Sequence, residues 1–474
     1  MKPIDEYQTY RNLPPLAGLC SMKRAIDSDW SLDESVTRLK RIHHVFRRVH
    51  ESLISRIPGE PIYELKTLYS HHAYLCAEQI DLIRKRVSEM REPPLGLDKV
   101  PDLNLELALD ELSRCPDTVH FLAGLYRTIL PECVIACERL QTDAHPLADA
   151  PTVRISKLMA FEIRDVYSTG QACLDCLLSD EDHSSVLEWQ SHLQAYLSSA
   201  GSIDGTSDPT PAPLSRRYET EDVIYQREPE RDERFRDPYN AGVNPEAFLY
   251  NEQYAAKDKT LMIYYKRLRE IDVPEVMATI LIDLRDEEPW DFHMEMSRQM
   301  WDEARHAMMG EVGFASQDID WTEIPINFTW SRNLNTQLSP RERHGVLFFI
   351  EQGLMPKTGK RYEWEVASES GDTLAKLFQD FDWADEVLHA QIGRRWYVPR
   401  YNSLGEAMAY GDKCWTRVLS KWQEYQDQGL TEHRNWWPEL YTKVCSQRGT
   451  IPDPETLAFS QTYQEQRADL ETLE

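Results

Sequence analysis

Apolar residues recur at helical spacing along most of the chain, and breaks rich in Pro, Gly and charge separate the periodic stretches. "SLDESVTRLKRIHHVFRRVHESLISRI" and "IYELKTLYSHHAYLCAEQIDLIRKRVSEMR", joined by "PGEP", predict two long helices between Ser31 and Arg91. After the loop "EPPLGLDKVPDL", the pattern predicts helices in "LELALDELSRC", "DTVHFLAGLYRTILPECVIACERL" and "TVRISKLMAFEIRDVYSTGQACLDCLL", with "DAHPLADAP" joining the last two. From Ala200 to Pro245 the sequence is rich in Ser, Gly, Pro and charge and has no sustained period, which predicts a linker or extended strap. Helical periods then return from "LYNEQYAAKDKT" to "DEVLHAQIGRRWYV". Strand signals are nearly absent, so the expected class is all-α. The tail from Pro399, carrying Trp415, Trp422, Trp436 and Trp437, is expected to wrap the second half as short helices.

A chain of 474 residues is long for one core. We expect two helical domains, 1–199 and 246–474, with 200–245 between them. Of the residues, 41% are hydrophobic, but they are spread through amphipathic stretches, so no membrane span is expected. Lys and Arg total 53 against 80 Asp and Glu, a net charge of −27 that argues against nucleic acid and anionic lipid as partners. The basic stretch "RLKRIHHVFRRVHE" has its charges spaced around a helix, as on a solvated or inter-helix face. The nine cysteines are scattered and form no CxxC pair, and the start lacks the pattern of a secretory signal. Both point to a cytoplasmic protein with thiols acting as small hydrophobes.

Chemistry enters with a repeat. "DEARHAMMG" begins at Asp302 and "DEVLHAQIG" at Asp385, so Asp-Glu-x-x-His-Ala-x-x-Gly is written twice, 83 residues apart. Three positions apart on a helix, Glu303 and His306 share one face, as do Glu386 and His389. A four-helix bundle holds two metal ions when two helices each give a Glu-x-x-His and the other two each give a carboxylate. Counting back from the turn near "SESGD" reaches the region of Glu351. The same count from "DEEPW" falls between Glu270 and Glu275; Glu270 is favoured because it precedes Pro274 as Glu351 precedes Pro356. Asp302 and Asp385 suit the role of accepting the free ring N–H of a ligating His from another helix, and Arg305 that of pairing with a carboxylate in the same layer. His344, two turns before Glu351, and His293 are candidates for lining a pocket or adding a ligand. His43, His44, His71 and His72 have no Glu three positions before them and are expected to be surface or core residues. Met296, Met300, Trp301, Phe348, Phe349, Phe381 and Trp383 are expected mostly in the core, part of them beside a pocket. Carboxylates with two imidazoles suit two iron ions, or manganese, better than structural zinc.

The paired motif resembles the DExRH signatures of the ferritin-like di-iron carboxylate superfamily, over about Leu249 to Val398, with Leu388 standing where the signature has Arg. The resemblance implies metal binding by Glu303, His306, Glu386, His389 and a Glu on each partner helix, and dioxygen activation. Three functions follow as expectations: an oxygenase or oxidase acting with dioxygen on a small organic substrate, with an electron-donor protein as a candidate partner; iron oxidation and handling; or a non-catalytic scaffold. A homodimer is compatible with each.

The first half invites the same test. Glu78 and Glu162 are 84 residues apart, each with Asp three positions on, and Glu132 sits where a third-helix Glu would. This predicts a degenerate ferritin-like bundle, its metal site replaced by ion pairs among Lys40, Arg41, Glu78, Asp81, Glu162 and Asp165. Chance agreement of the intervals between unrelated helical domains is the alternative.

Overall fold

The computed structural model describes residues 4, 7–91, 96–213, 215–221, 223, 225–419 and 422–466, and among these the protein is all-helical, without a strand. It divides into two compact units. One comprises Met1–Leu53 and Leu75–Ile224, the other Ile54–Tyr74 and Tyr225–Glu474.

In the first unit the helices are α1 (Leu32–Arg56) and α2 (Tyr63–Ser88), each of which also extends into the second unit, then α3 (Leu103–Arg114), α4 (Thr118–Asp143), α5 (Ala150–Leu177) and α6 (His183–Ser199). Asp102 and Asp117 start α3 and α4 by accepting the backbone N–H groups of Leu105 and His120. A π-helical turn at Leu125–Ile129 interrupts α4. By length and composition α4 passes for a membrane span, which the sequence reading did not anticipate; 67% of its apolar window is buried inside the protein, as in a core helix.

The second unit holds α7 (Ala256–Arg269), α8 (Asp272–Asp283), α9 (Trp290–Ala315), α10 (Thr329–Gln337), α11 (Pro340–Gly353), α12 (Lys360–Ser370), α13 (Thr373–Trp396), α14 (Leu404–Leu419) and α15 (Trp437–Gln447). Pro274 has no N–H to donate to the carbonyl of Glu270, and α7 gives way to α8 just before it, at Glu270–Ile271. Pro356 lies in the break between α11 and α12. Ser339 and Glu342 form a capping box at the start of α11, and Asp372 caps α13 through the N–H groups of Leu374 and Ala375.

Cross-helix pairs fix directions. Asp302 meets His389 while His306 meets Asp385, so α9 and α13 are antiparallel. Glu270 lies by His306, and the backbone of Leu268 by Gly310, making α7 antiparallel to α9. From Ala200 to Asn244 no described residue is helical. Early in this strap Arg41 donates to the carbonyls of Ala200, Ser202 and Ile203; late in it Glu230 and Asp232 donate to those of Pro58 and Pro61. In the tail, Trp437 stacks on Tyr441 and donates to the carbonyl of Thr456, while Trp436 packs on Tyr265, so the tail contributes to the core.

Candidate metal centre

Six side chains from four helical segments meet inside the second unit. Glu303 and His306 come from α9, Glu386 and His389 from α13, Glu351 from the last turn of α11, and Glu270 from the residue that ends α7. They form two overlapping groups, Glu270–Glu303–His306–Glu386 and Glu303–Glu351–Glu386–His389, whose ligand atoms lie within 4.8 Å of one another. Glu303 and Glu386 belong to both. The two imidazole centroids are 5.9 Å apart and both rings are buried.

The repeated glycine explains how the partner carboxylates reach this level. A Cβ on Gly310 would strike the backbone of Tyr264 and Leu268 in α7; one on Gly393 would strike the ring of Phe348 in α11. Each glycine, one turn beyond its His, lets the partner helix approach to contact, and the carboxylate it carries follows: Glu270 two residues after Leu268, Glu351 three after Phe348.

Within the cluster Glu270, Glu351 and Glu386 each turn one oxygen outward and keep one inward. Oε1 of Glu386 takes the ammonium of Lys360 at 2.8 Å, Oε1 of Glu270 takes Arg267 at 2.8 Å, and Oε1 of Glu351 accepts from Gln299 at 3.5 Å. Buried Oε2 of Glu270, Glu351 and Glu386, Oε1 of Glu303, and Nδ1 of both His306 and His389 have no hydrogen-bond partner. They face each other instead: His306 Nδ1 stands 3.3 Å from Glu270 and His389 Nδ1 3.1 Å from Glu303. Unpaired buried polar atoms are costly, and six converging ones fit metal ions that would satisfy them together.

The opposite ring nitrogens are engaged. His306 Nε2 lies 3.3 Å from Asp385, and His389 Nε2 3.4 Å from Asp302, each acid being on the other helix. Arg305 spans Asp302 at 2.5 Å and Asp385 at 2.7 Å, and Arg298 holds Asp302 at 2.9 Å. This arrangement places the N–H on Nε2 and points the Nδ1 lone pair inward.

The field at the centre calls for cations. Burial opposes charge on His306, yet Asp385, Glu270 and Glu303 push its pKa up to about 10. Burial also opposes ionisation of Glu303, but the neighbouring imidazoles of His306 and His389 hold it down at about 2. Glu351 is pushed well above the ordinary carboxylate range, first by burial and then by the charges of Glu386 and Glu303. Acids crowded this closely need protons or metal ions between them.

Several neighbours carried no signal in the sequence. Lys360 binds both oxygens of Asp382 at 3.0 Å, Arg267 is ion-paired to Asp382, and Lys266 holds Glu363 at 2.5 Å, all buried. Asp382, one helical turn before Glu386, was findable by period; Lys360 and Arg267, from other segments, were not. A cavity of ≈250 Å³ touches Glu270, Glu303, Glu351 and Glu386, and its lining also includes the apolar Leu347, Ile350 and Leu354 and the charged Lys266 and Arg269.

Other expected residues lie elsewhere. Glu275 is buried against Lys66, Arg231 and Ser331 and takes no part in the cluster: it lies on α8, past the break at Glu270–Ile271 that separates this helix from α7. His344 packs between Phe292 and Tyr397, with its pKa lowered to about 3 by burial and then by Arg400 and Arg341; His293 packs on Trp290 and Phe292. Neither joins a ligand group or lines the cavity. Phe381, expected in the core, is exposed on α13, while Met296, Met300 and Phe348 are buried. His43 and His72 are core residues, His44 pairs with Glu106 at 2.8 Å, and His71 stacks on Trp301.

In the first unit three of the residues expected to form replacement ion pairs have other partners. Arg41 serves strap carbonyls and Asp102, Asp81 pairs with Lys85 on its own helix, and Glu162 accepts from Gln79. Among the described residues both convergent ligand groups lie in the second unit. Compared with family models, curated proteins and solved structures, the chain matches none.

Proposed function

We propose that the second unit is a ferritin-like four-helix bundle built from α7, α9, α11 and α13, and that it is a di-iron oxidoreductase using dioxygen on a small organic substrate. The observation that carries this is the set of six unpaired inward atoms, four carboxylate oxygens and two imidazole nitrogens, on four helical segments. Four carboxylates and two imidazoles without a thiolate suit iron or manganese.

When bound, two reduced irons supply the electrons that dioxygen activation needs. The chain's own residues do the rest. Glu303 and Glu386, common to both groups, would help to hold both ions; Asp302 and Asp385 fix the imidazole tautomers; Lys360, Arg267 and Gln299 hold the outer oxygens, so the inner ones keep their aim. The cavity beside the carboxylates also carries Leu347, Ile350 and Leu354, which accords with an organic substrate having a hydrocarbon part. The nine free thiols accord with a cytoplasmic setting. We read the first unit as a bundle of the same descent without a metal site.

Metal analysis of the full chain produced with iron should give about two irons per chain, the content of a site of this kind; near zero overturns the reading in favour of a scaffold. With ferrous protein, oxygen uptake that stops at the stoichiometry of bound iron, and resumes with an organic co-substrate and a reductant, supports an oxygenase. Continued uptake with excess ferrous iron and ferric mineral would identify an iron-handling protein instead.

A further inference from the structure

In the walls of the ≈250 Å³ cavity one cation, Arg269, has no described carboxylate at ion-pair distance, although Glu246 and Asp272 act on it from farther off. Of the cations around the site, Lys266 has Glu363 and Glu246, Arg267 has Glu270 and Asp382, Lys360 has Asp382 and Glu386, and Arg231 has Asp272 and Glu275. Arg269 differs. Its Nη1 reaches the hydroxyl of Tyr463 at 3.3 Å and its guanidinium lies over the rings of Tyr265 and Tyr463, but no described carboxylate lies at ion-pair distance and its buried Nε has no partner.

The remaining acids of the lining are already matched: Glu246 accepts from Tyr463 and pairs with Lys266, and Asp272 pairs with Arg231. A second donor lines the same space. Trp330 is 6% exposed, and its indole N–H is buried without a partner. Leu347, Ile350 and Leu354, which offer only hydrocarbon, line the same cavity. A guanidinium without a carboxylate at ion-pair distance, an unused N–H and apolar lining groups together describe a receptor for a molecule with an anionic head and a short apolar body.

We propose that this cavity binds a small organic acid, with its carboxylate on Arg269 and Trp330 and its hydrocarbon part against Leu347, Ile350 and Leu354, beside the ligand carboxylates. This names the substrate class of the proposed oxidoreductase and rests on that reading for its catalytic meaning, though acid binding is measurable without turnover. The volume limits the guest to a small molecule.

The test is calorimetric titration of the full chain, manganese-loaded and metal-free, with hexanoate, hexan-1-ol and hexylammonium, and with metal content determined for every variant. Hexanoate should bind at least about tenfold more tightly than the other two, the difference one charge-assisted contact supplies. Arg269→Gln should bring hexanoate to the level of hexanol with bound metal unchanged, and Arg269→Lys should recover part of the preference. Trp330→Phe keeps the ring and should weaken hexanoate but not hexanol, which preserves the test if the Arg269 variants do not fold. Equal binding of hexanoate and hexanol overturns the proposal. So does a preference that persists in Arg269→Gln, since the acid would then sit on the metals. A chain that takes up no metal yet still shows the Arg269-dependent preference would sink the di-metal reading and keep this one.

Discussion

Two helices, α5 in the first unit and α9 in the second, each carry a glycine pressed against a partner helix: Gly170 against the ring of Tyr126, Gly310 against the backbone of α7. Measured from the glycine, the two faces differ by one residue. Seven positions before Gly310 stands Glu303 and four before it His306; Gly393 stands in the same relation to Glu386 and His389. Seven before Gly170 stands Ile163 and four before it Val166, both buried. Glu162 is at position eight, where the second unit has Asp302 and Asp385, and it is only half-buried.

The intervals of 83 and 84 residues therefore agree while the inward faces do not, because one step along a helix turns a side chain by about 100°. A conserved-looking interval says less about a site than the register of its carboxylate against the packing contact. The rest of the first unit's interior accords with this. Cys76, Cys133 and Tyr126 are buried there, with burial as the first cause of raised pKa at each.

The comparison is broken most directly by removing one acid from each unit. Glu303→Ala should take bound iron from about two per chain to near zero, since both groups lose a member. Glu162→Gln should leave metal content unchanged and alter stability by no more than about 1 kcal/mol, one hydrogen bond's net worth. Loss of metal in Glu162→Gln would mean that the first unit also holds ions.

Next in size are the glycines. Gly310→Ala presses a methyl on backbone that cannot swing aside, and should cost about 1–3 kcal/mol or more of unfolding free energy while loosening metal binding. Gly170→Ala meets a ring and should cost the lower part of that range, with no effect on metal. Urea unfolding and metal content together measure both.

The smallest effect at neutral pH belongs to His43 of α1, buried without a hydrogen-bond partner for either ring nitrogen. Burial first, then Arg84 and Arg47, lowers its pKa from 6.5 to about 3. The unfolded chain therefore takes up the proton first, so the stability tied to neutral His43 is complete above pH 6.5 and is lost progressively as pH falls toward 3. His43→Leu should be near neutral at pH 7 and should flatten the fall of the urea midpoint below pH 6.5; an unchanged slope would show that His43 is protonated in the folded state.

The sequence by itself determined the helical class, the two Glu-x-x-His faces, the pairing of each with an acid on the other motif, and Glu351. These rest on distances within one helix or on counts across one turn, which backbone geometry fixes. Only the tertiary structure decided between Glu270 and Glu275, because they lie on either side of the break between α7 and α8 and only packing shows which of them reaches the cluster. It alone gathered Lys360, Arg267 and Asp382 around the outer oxygens, and Arg269 and Trp330 around the cavity, from segments far apart in the sequence. Local spacing is written in the chain, whereas which face of one helix meets which face of another depends on how all the helices pack at once.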